Sequence, residues 1–160
     1  MVKKQVAQIA KMGIIAGLYV ALCYFFSFMS YGPIQFRIAE ILIVLVFYNK
    51  KYCIPVIIGT FLANILMYGL YDMIFGTIAT VLVLLIIILV KNRFIIAPVA
   101  AIVNGIIIGL MLYYIFEEPA ALWFIMATVA IGEFVVVLVG VLAFAGIEKT
   151  NPKLIDMLKD

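Results

Sequence analysis

The chain has 160 residues, of which 69% are hydrophobic and 12% charged, and its mean hydropathy is +1.34. Soluble domains are roughly half apolar and a quarter charged, and a chain of this length cannot enclose so much apolar surface in one core. The composition therefore excludes a water-soluble globule, a disordered chain, a coiled coil and a collagen. It predicts an all-α membrane protein with a lipid bilayer around most of its surface.

Histidine is absent, and the two cysteines, Cys23 and Cys53, lie apart inside apolar runs. This pattern excludes a zinc-ligand spacing and a disulfide framework, so neither a metal nor a cofactor is predicted. The net charge is a modest +3, and nucleic acid is not an expected partner. Lys3 and Lys4 precede the first apolar run as in a signal peptide. The run continues to about Met29 without a small-residue cleavage site, which predicts a retained helix.

The basic clusters divide the sequence into intervals of 38, 39 and 55 residues. Because a helix needs about 20 residues to cross the hydrocarbon core, each interval fits two crossings. We therefore predict one membrane domain over 1–160 with six transmembrane helices, at 5–29, 36–49, 52–69, 73–90, 95–115 and 121–147. The tail from Glu148 to Asp160 is predicted to be a short polar end.

The turns opposite the basic clusters are rich in glycine, proline and acids: Tyr31-Gly32-Pro33, Gly69 to Asp72, and Glu117-Glu118-Pro119. Ten of the 11 basic residues lie on the other side, and the positive-inside rule assigns that side to the cytoplasm. Both termini are therefore expected in the cytoplasm. Only Arg37 is placed on the outer side.

The second helix is short for a crossing, because only eight residues separate Glu40 from Asn49. It spans the bilayer only if it begins near Phe36, which puts Arg37 and Glu40 at its outer end. Three residues apart, these two side chains share one face of a helix. They are expected to form a surface ion pair or to hold a ligand together.

Polar groups inside membrane helices are costly and are functional candidates by default. Glu133 follows Gly132 near the middle of the sixth helix, and is either a ligand-binding carboxylate or a protonated or internally paired structural group. Asn64 and Asn104 lie at similar depth, where they bind a ligand or join helices by hydrogen bonds. Asp72 follows an outer turn and ordinarily would be solvated or would cap the fourth helix.

Small residues recur every four positions on the first helix, at Gly13, Gly17 and Ala21. Such a stripe lets another helix approach closely. Two interpretations stay open: packing within this bundle, or docking against a separate membrane subunit.

The motifs that are missing also narrow the function. The sequence has no GxxxxGK[ST] phosphate loop, so an ATP-driven role requires partners that hydrolyse the nucleotide. It has no HExxH, no GxSxG and no histidine to act as a general base, so it is not predicted to be an enzyme. A repeated pore motif, typical of channels, is absent too.

The run from Tyr31 to Glu40, YGPIQFRIAE, resembles the QueT family, the queuosine-precursor substrate-binding (S) subunits of energy-coupling factor (ECF) transporters. The resemblance covers essentially the whole chain, through Ala63-Asn64, Tyr71 to Thr80, Asn104, Gly109 to Tyr114, and Gly132-Glu133. Two features depart from the family pattern: Leu42 to Phe47 contains no proline, and Thr60 stands where a cysteine is frequent. The stripe on the first helix is similar to the family's alanine-based docking motif, with glycine at two positions.

The resemblance implies a six-helix subunit of the bacterial cell membrane that captures a vitamin-like compound from outside. It implies partnership with a membrane coupling subunit and two ATPase subunits, with docking through Gly13, Gly17 and Ala21. In this transporter class the binding subunit topples in the bilayer and carries its substrate inward.

The implied substrate is a 7-deazaguanine, either a precursor base or queuine. The Glu133 carboxylate would accept hydrogen bonds from its ring N–H and exocyclic amine, and the amide of Asn104 or Gln35, or an arginine, would donate to its carbonyl. The ring of Phe36, Tyr113 or Trp123 would stack on the heterocycle. An aminomethyl substituent, if present, is cationic, and Asp72 or Glu40 would pair with it. The loop from Ser30 to Gln35 is a candidate lid. The candidate substrate-binding residues are Gln35, Phe36, Arg37, Glu40, Asn64, Asp72, Asn104, Tyr113, Trp123 and Glu133. For the aromatic members near the outer interface, an aromatic belt is the alternative.

Three other functions stay open at this point. A stand-alone proton-coupled small-molecule or multidrug carrier would use Glu133 as its coupling carboxylate. A membrane enzyme would use Glu133 or Asp72 in acid–base chemistry. A scaffold would pack other subunits through the Gly13 to Ala21 stripe, but would leave the polar residues without a role.

Overall fold

A computed structural model describes residues 2–29 and 35–159. Within these ranges the chain is all-helical, without a strand, as the composition predicts. The α-helices are α1 (Val2–Phe25), α2 (Leu45–Tyr48), α3 (Cys53–Met67), α4 (Leu70–Ile87), α5 (Ile96–Tyr114), α6 (Leu122–Thr150) and α7 (Pro152–Lys159). Short 3-10 helices lie at Ser27–Met29, Ile38–Val44, Lys50–Tyr52 and Arg93–Ile95.

Among the described residues, five segments are long and apolar enough to cross a membrane: Gln5–Phe25, Lys50–Met67, Leu70–Ile87, Arg93–Tyr114 and Leu122–Thr150. They agree with five of the six predicted spans to within a few residues. The predicted span at 36–49 is instead a shorter apolar helix, Ile38–Tyr48. Its first seven residues form the 3-10 helix, which continues into the four residues of α2.

This short second segment forms the centre of the bundle. Ala39, Ile43 and Val46 are at most 1% exposed, because α1, α3, α4 and α6 pack around the segment. The opposite faces of the long helices are apolar and exposed, with Leu66 and Leu85 as examples. This distribution fits a bundle whose polar backbone is satisfied inside and whose outer surface meets lipid.

The C-terminal tail is folded, which corrects the prediction of a short polar end. The helix α7 begins with proline, a favoured first residue of helices, and buries Ile155 to 1% exposure. The last turn of a helix leaves carbonyl groups unpaired, and here neighbours satisfy them. Lys11 Nζ donates to the Met157 carbonyl at 3.0 Å, and Asn49 Nδ2 donates to the next two carbonyls at 3.3 and 3.1 Å. Both ends of the chain therefore lie at the same end of the bundle.

Candidate functional site

A polar cavity of about 230 Å³ lies at the end of the bundle opposite α7, and we call it the outer cavity. Four parts of the chain meet there: the segment before the 3-10 helix, the end of α3, the start of α4, and the end of α5 with the turn that follows. It is lined by Gln35, Arg37, Tyr68, Asp72, Leu112, Phe116 and Glu118. Three of the ten candidate residues thus share one cavity, although they are separated in the sequence.

Arg37 and Asp72 form an ion pair on the wall of this cavity. Arg37 Nη2 donates to Asp72 Oδ1 at 2.9 Å, and the two side chains are only 14% and 13% exposed. The expected surface pair between Arg37 and Glu40 is wrong, because Glu40 lies 2% exposed in the bundle interior and bonds elsewhere. Asp72 is neither solvated nor a cap: the capping position of α4 belongs to Gly69, and the carboxylate meets the guanidinium instead.

Gly76, one turn after Asp72 on α4, makes room for two polar side chains. A Cβ at this position would lie 2.6 Å from Asn64 Nδ2 and 3.4 Å from Arg37 Nη1. The Asn64 amide therefore lies beside Arg37, where it is 4% exposed. Its Nδ2 has no hydrogen-bond partner among the described residues, so two donor hydrogens remain available there.

Glu40 is held by two hydroxyl groups from different helices. Tyr19 of α1 donates to Glu40 Oε1 at 2.6 Å, and Thr80 of α4 donates to the same oxygen at 3.3 Å. All three side chains are at most 3% exposed. This network fixes the carboxyl group in place and joins the central segment to α1 and α4.

Glu133 of α6 is 1% exposed, and its Oε1 has no hydrogen-bond partner within the described ranges. Its helix packs against the 3-10 helix that carries Glu40. A buried carboxyl oxygen without a partner is costly and is a candidate ligand contact. No cluster of three histidine, cysteine or acidic side chains suited to a metal ion occurs in the part of the chain that the structure describes.

The remaining candidates are not brought to the outer cavity. Asn104 is 2% exposed, and its Nδ2 donates to the Ala100 carbonyl of its own helix at 3.1 Å. Phe36 is half-buried, and its ring is not part of the cavity lining. Tyr113 and Trp123 are 37% and 73% exposed, which favours the aromatic-belt interpretation for both.

The stripe on α1 is open. A Cβ at Gly13 or Gly17 would have nothing within 4 Å among the described residues, and Ala21 is half-buried. The interpretation as packing within this bundle is therefore wrong for the two glycines. The docking interpretation stays a prediction.

Residues 30–34 of the predicted lid lie outside the described residues, while Gln35 at its end lines the cavity.

The sequence did not predict six residues of the site: Tyr68, Leu112, Phe116 and Glu118 of the cavity, and the hydroxyl donors Tyr19 and Thr80. A four-residue spacing in the sequence does indicate that some of these residues share a helix face with the predicted candidates. On α4 it links Asp72, Gly76 and Thr80, and on α3 it links Thr60, Asn64 and Tyr68, so each set shares a helix face.

The fold and the site define a multi-pass helical membrane protein with a polar cavity at one end and buried carboxyl groups beneath it. The model of the family described as QueT transporter matches residues 9–149, and the chain belongs to this family. Over 96 residues the chain is 41% identical to a protein of Lactococcus lactis subsp. cremoris (strain MG1363) named "Queuosine precursor transporter QueT". That match covers 59% of this chain and 57% of the relative, a little over half of each. No solved structure matches the chain. Membership in a transporter family favours transport over the enzyme and scaffold interpretations.

Proposed function

We propose that this chain is the substrate-binding subunit of an ECF-type importer in the bacterial cell membrane, and that it captures a 7-deazaguanine queuosine precursor, or queuine, from outside. The observation that carries the proposal is the position of Arg37. Its guanidinium lies at the outer cavity, paired with Asp72, and its other terminal nitrogen lies beside the buried amide of Asn64. Donor and acceptor groups thus continue from the cavity into the bundle, as capture of a polar heterocycle requires.

The chemistry of a deazaguanine suits these groups. Its ring N–H and exocyclic amine present adjacent donors, and the unpaired carboxyl oxygen of Glu133 accepts such bonds. Its carbonyl needs a donor, which Arg37 or the free amide hydrogens of Asn64 supply. The volume of about 230 Å³ lies below the roughly 300–1,000 Å³ of pockets for drug-sized ligands, so a small bicyclic ring is the appropriate size.

We infer six membrane crossings with both termini in the cytoplasm. The 3-10 helix advances about 14 Å and α2 about 6 Å, because a 3-10 helix rises about 2.0 Å and an α-helix about 1.5 Å per residue. Together they cover about two thirds of the roughly 30 Å hydrocarbon core, and residues 35–37 lead into them from the outer end. Irregular backbone at membrane depth is tolerated when protein surrounds it, and this segment lies at the centre of the bundle. The positive-inside rule then places the lysine-rich end in the cytoplasm.

The open stripe of Gly13 and Gly17 supports docking to the membrane coupling subunit, which would work with two ATPase subunits. Co-purification of the co-expressed module with Gly17→Leu tests this, since a Cβ at this position has nothing within 4 Å among the described residues. Gly146→Leu is the matched control, because Gly146 on α6 is equally open. We expect the coupling and ATPase subunits to co-purify with Gly146→Leu and not with Gly17→Leu. Co-purification with Gly17→Leu as well would show that the stripe is not part of the interface.

The substrate is tested by equilibrium binding to the purified, detergent-solubilised protein. The ligands are 7-deazaguanine precursors, queuine and guanine, with thiamin, riboflavin and biotin as controls. Tight binding confined to the deazaguanines is the expected result. Saturable binding of a different vitamin would overturn the substrate and keep the transport class.

The unpaired Glu133 also favours a second candidate, the stand-alone proton-coupled carrier. Reconstitution of the chain alone in liposomes separates the two. The subunit proposal expects substrate binding without accumulation under a proton gradient. Accumulation driven by the gradient would establish the carrier.

A further inference from the structure

Glu118 lines the outer cavity and has no part in the ligand chemistry described above. It belongs to the turn between α5 and α6, two residues after Phe116, which also lines the cavity. The inference drawn from it rests on the proposed function, because it concerns which deazaguanine the site prefers.

The backbone places Glu118 at the cavity by folding the turn back over the end of α5. Glu117 has a φ of 51°, a left-handed conformation that reverses the chain direction after a helix. The Glu118 N–H then donates to the Leu112 carbonyl, six residues earlier, at 3.2 Å. Since Leu112 lines the cavity itself, this bond ties the turn to the cavity wall.

The charges around the cavity are unbalanced. Its lining contains one guanidinium, Arg37, and two carboxylates, Asp72 and Glu118. The Asp72 carboxylate is paired with Arg37, whereas Glu118 makes no ion pair with any of the residues that the structure describes, 2–29 and 35–159. Glu118 is exposed at the mouth of the cavity, and its carboxylate is free to pair with a cationic group on a ligand that enters there.

An aromatic ring lies beside this charge. Phe116 lines the same cavity, and Tyr71 packs edge-on against it with 5.9 Å between ring centroids. The face of an aromatic ring attracts an ammonium group, and a carboxylate accepts its hydrogen bonds. Glu118 and Phe116 together offer an ammonium group two favourable contacts on one turn of chain.

We propose that Glu118 determines specificity by binding a protonated amine on the substrate. The ligand then lies with its heterocycle toward Arg37 and Glu133 and its substituent toward the turn after α5. Among 7-deazaguanines, the protein prefers those with an aminomethyl group to those with an uncharged substituent at the same position.

The experiment compares two ligands on three proteins by calorimetry in detergent. The ligands are 7-aminomethyl-7-deazaguanine, which is cationic, and 7-cyano-7-deazaguanine, which is neutral. The proteins are the wild type, Glu118→Gln and Glu117→Gln. Glu117 is the matched control, because it is the adjacent exposed acid and is not part of the cavity lining. Both ligands are measured on each protein, so the ratio of the two affinities does not depend on the folded fraction.

We expect Glu118→Gln to weaken binding of the aminomethyl compound about tenfold and to leave the cyano compound unchanged, since one charge-assisted hydrogen bond is lost. Glu117→Gln should change neither. An unchanged affinity ratio in Glu118→Gln, or a wild type that prefers the cyano compound, would overturn the inference and leave the proposed function intact. A folded wild type that binds no deazaguanine would overturn both.

Discussion

Arg37 Nη2 donates to Asp72 Oδ1 at 2.9 Å, and this ion pair joins the central segment of the bundle to the first turn of α4. The pair faces the outer cavity, and Gly76, one turn further along α4, leaves room for the buried Asn64 amide beside the guanidinium. Arg37 therefore lies where the cavity meets the polar interior of the bundle.

Asp72→Asn should destabilise the protein by about 2–3 kcal/mol, because it leaves a nearly buried guanidinium without its bonded counter-charge. The Arg37 side chain is still 14% exposed at the cavity, which keeps the loss below that of a fully buried pair. Reversible unfolding in mixed micelles measures the change. The control is Asp156→Asn, since the Asp156–Lys159 pair is exposed and its loss should cost less than about 0.5 kcal/mol. Equal effects of the two variants would contradict the role of the Arg37–Asp72 pair.

Tyr19→Phe should cost about 1.5–3 kcal/mol, because it removes a buried hydrogen bond of 2.6 Å to a carboxyl group and leaves only the longer bond from Thr80. The free energy of unfolding is again the measurement. Tyr24→Phe on the same helix is the control, as that ring is 68% exposed and should lose almost nothing. A Tyr19→Phe variant as stable as the wild type would mean that the bond contributes no net stability.

Glu133→Gln should weaken substrate binding at least about tenfold without loss of folding. The substitution keeps the shape of the side chain and removes a carboxyl oxygen that has no partner in the described structure, so the bundle loses no internal bond there. The lost charge-assisted bond to the ligand is worth roughly 1.5 kcal/mol or more. Calorimetric affinity is compared with that of Glu148→Gln on the same helix, where the carboxylate pairs with Arg93 at the other end. Unchanged affinity would remove Glu133 from the site.

Two glycines should respond in opposite ways to alanine. Gly17→Ala should be neutral or stabilise the helix by up to about 1 kcal/mol, since its Cβ meets nothing within 4 Å. Gly59→Ala should destabilise by about 1–3 kcal/mol, because its Cβ would lie 2.7 Å from Tyr19 Cβ. Thermal unfolding of both variants in one detergent tests the contrast. A stable Gly59→Ala protein would show that α1 and α3 can separate slightly.

The spacing of basic clusters and outer turns was sufficient to predict five spans to within a few residues. The second segment is shorter than the predicted helix at 36–49, and seven of its residues form a 3-10 helix, whose greater rise per residue an estimate based on an α-helix does not include. The folded tail was missed for a different reason. A short amphipathic helix is marginal by itself, and α7 depends on burial of Ile155 and on carbonyl partners from α1 and the end of α2.

The sequence alone established the membrane environment of this protein, its helical class and the set of polar residues from which a site can be built. It did so because a polar group inside an apolar span is costly wherever it lies, and so is visible without a structure. The pairing of those groups is visible only in the folded bundle. Arg37 meets Asp72 rather than Glu40, Glu40 meets Tyr19, and Glu133 keeps an unpaired oxygen. Such pairings depend on the rotation and depth of each helix, which packing against its neighbours fixes and local sequence does not encode.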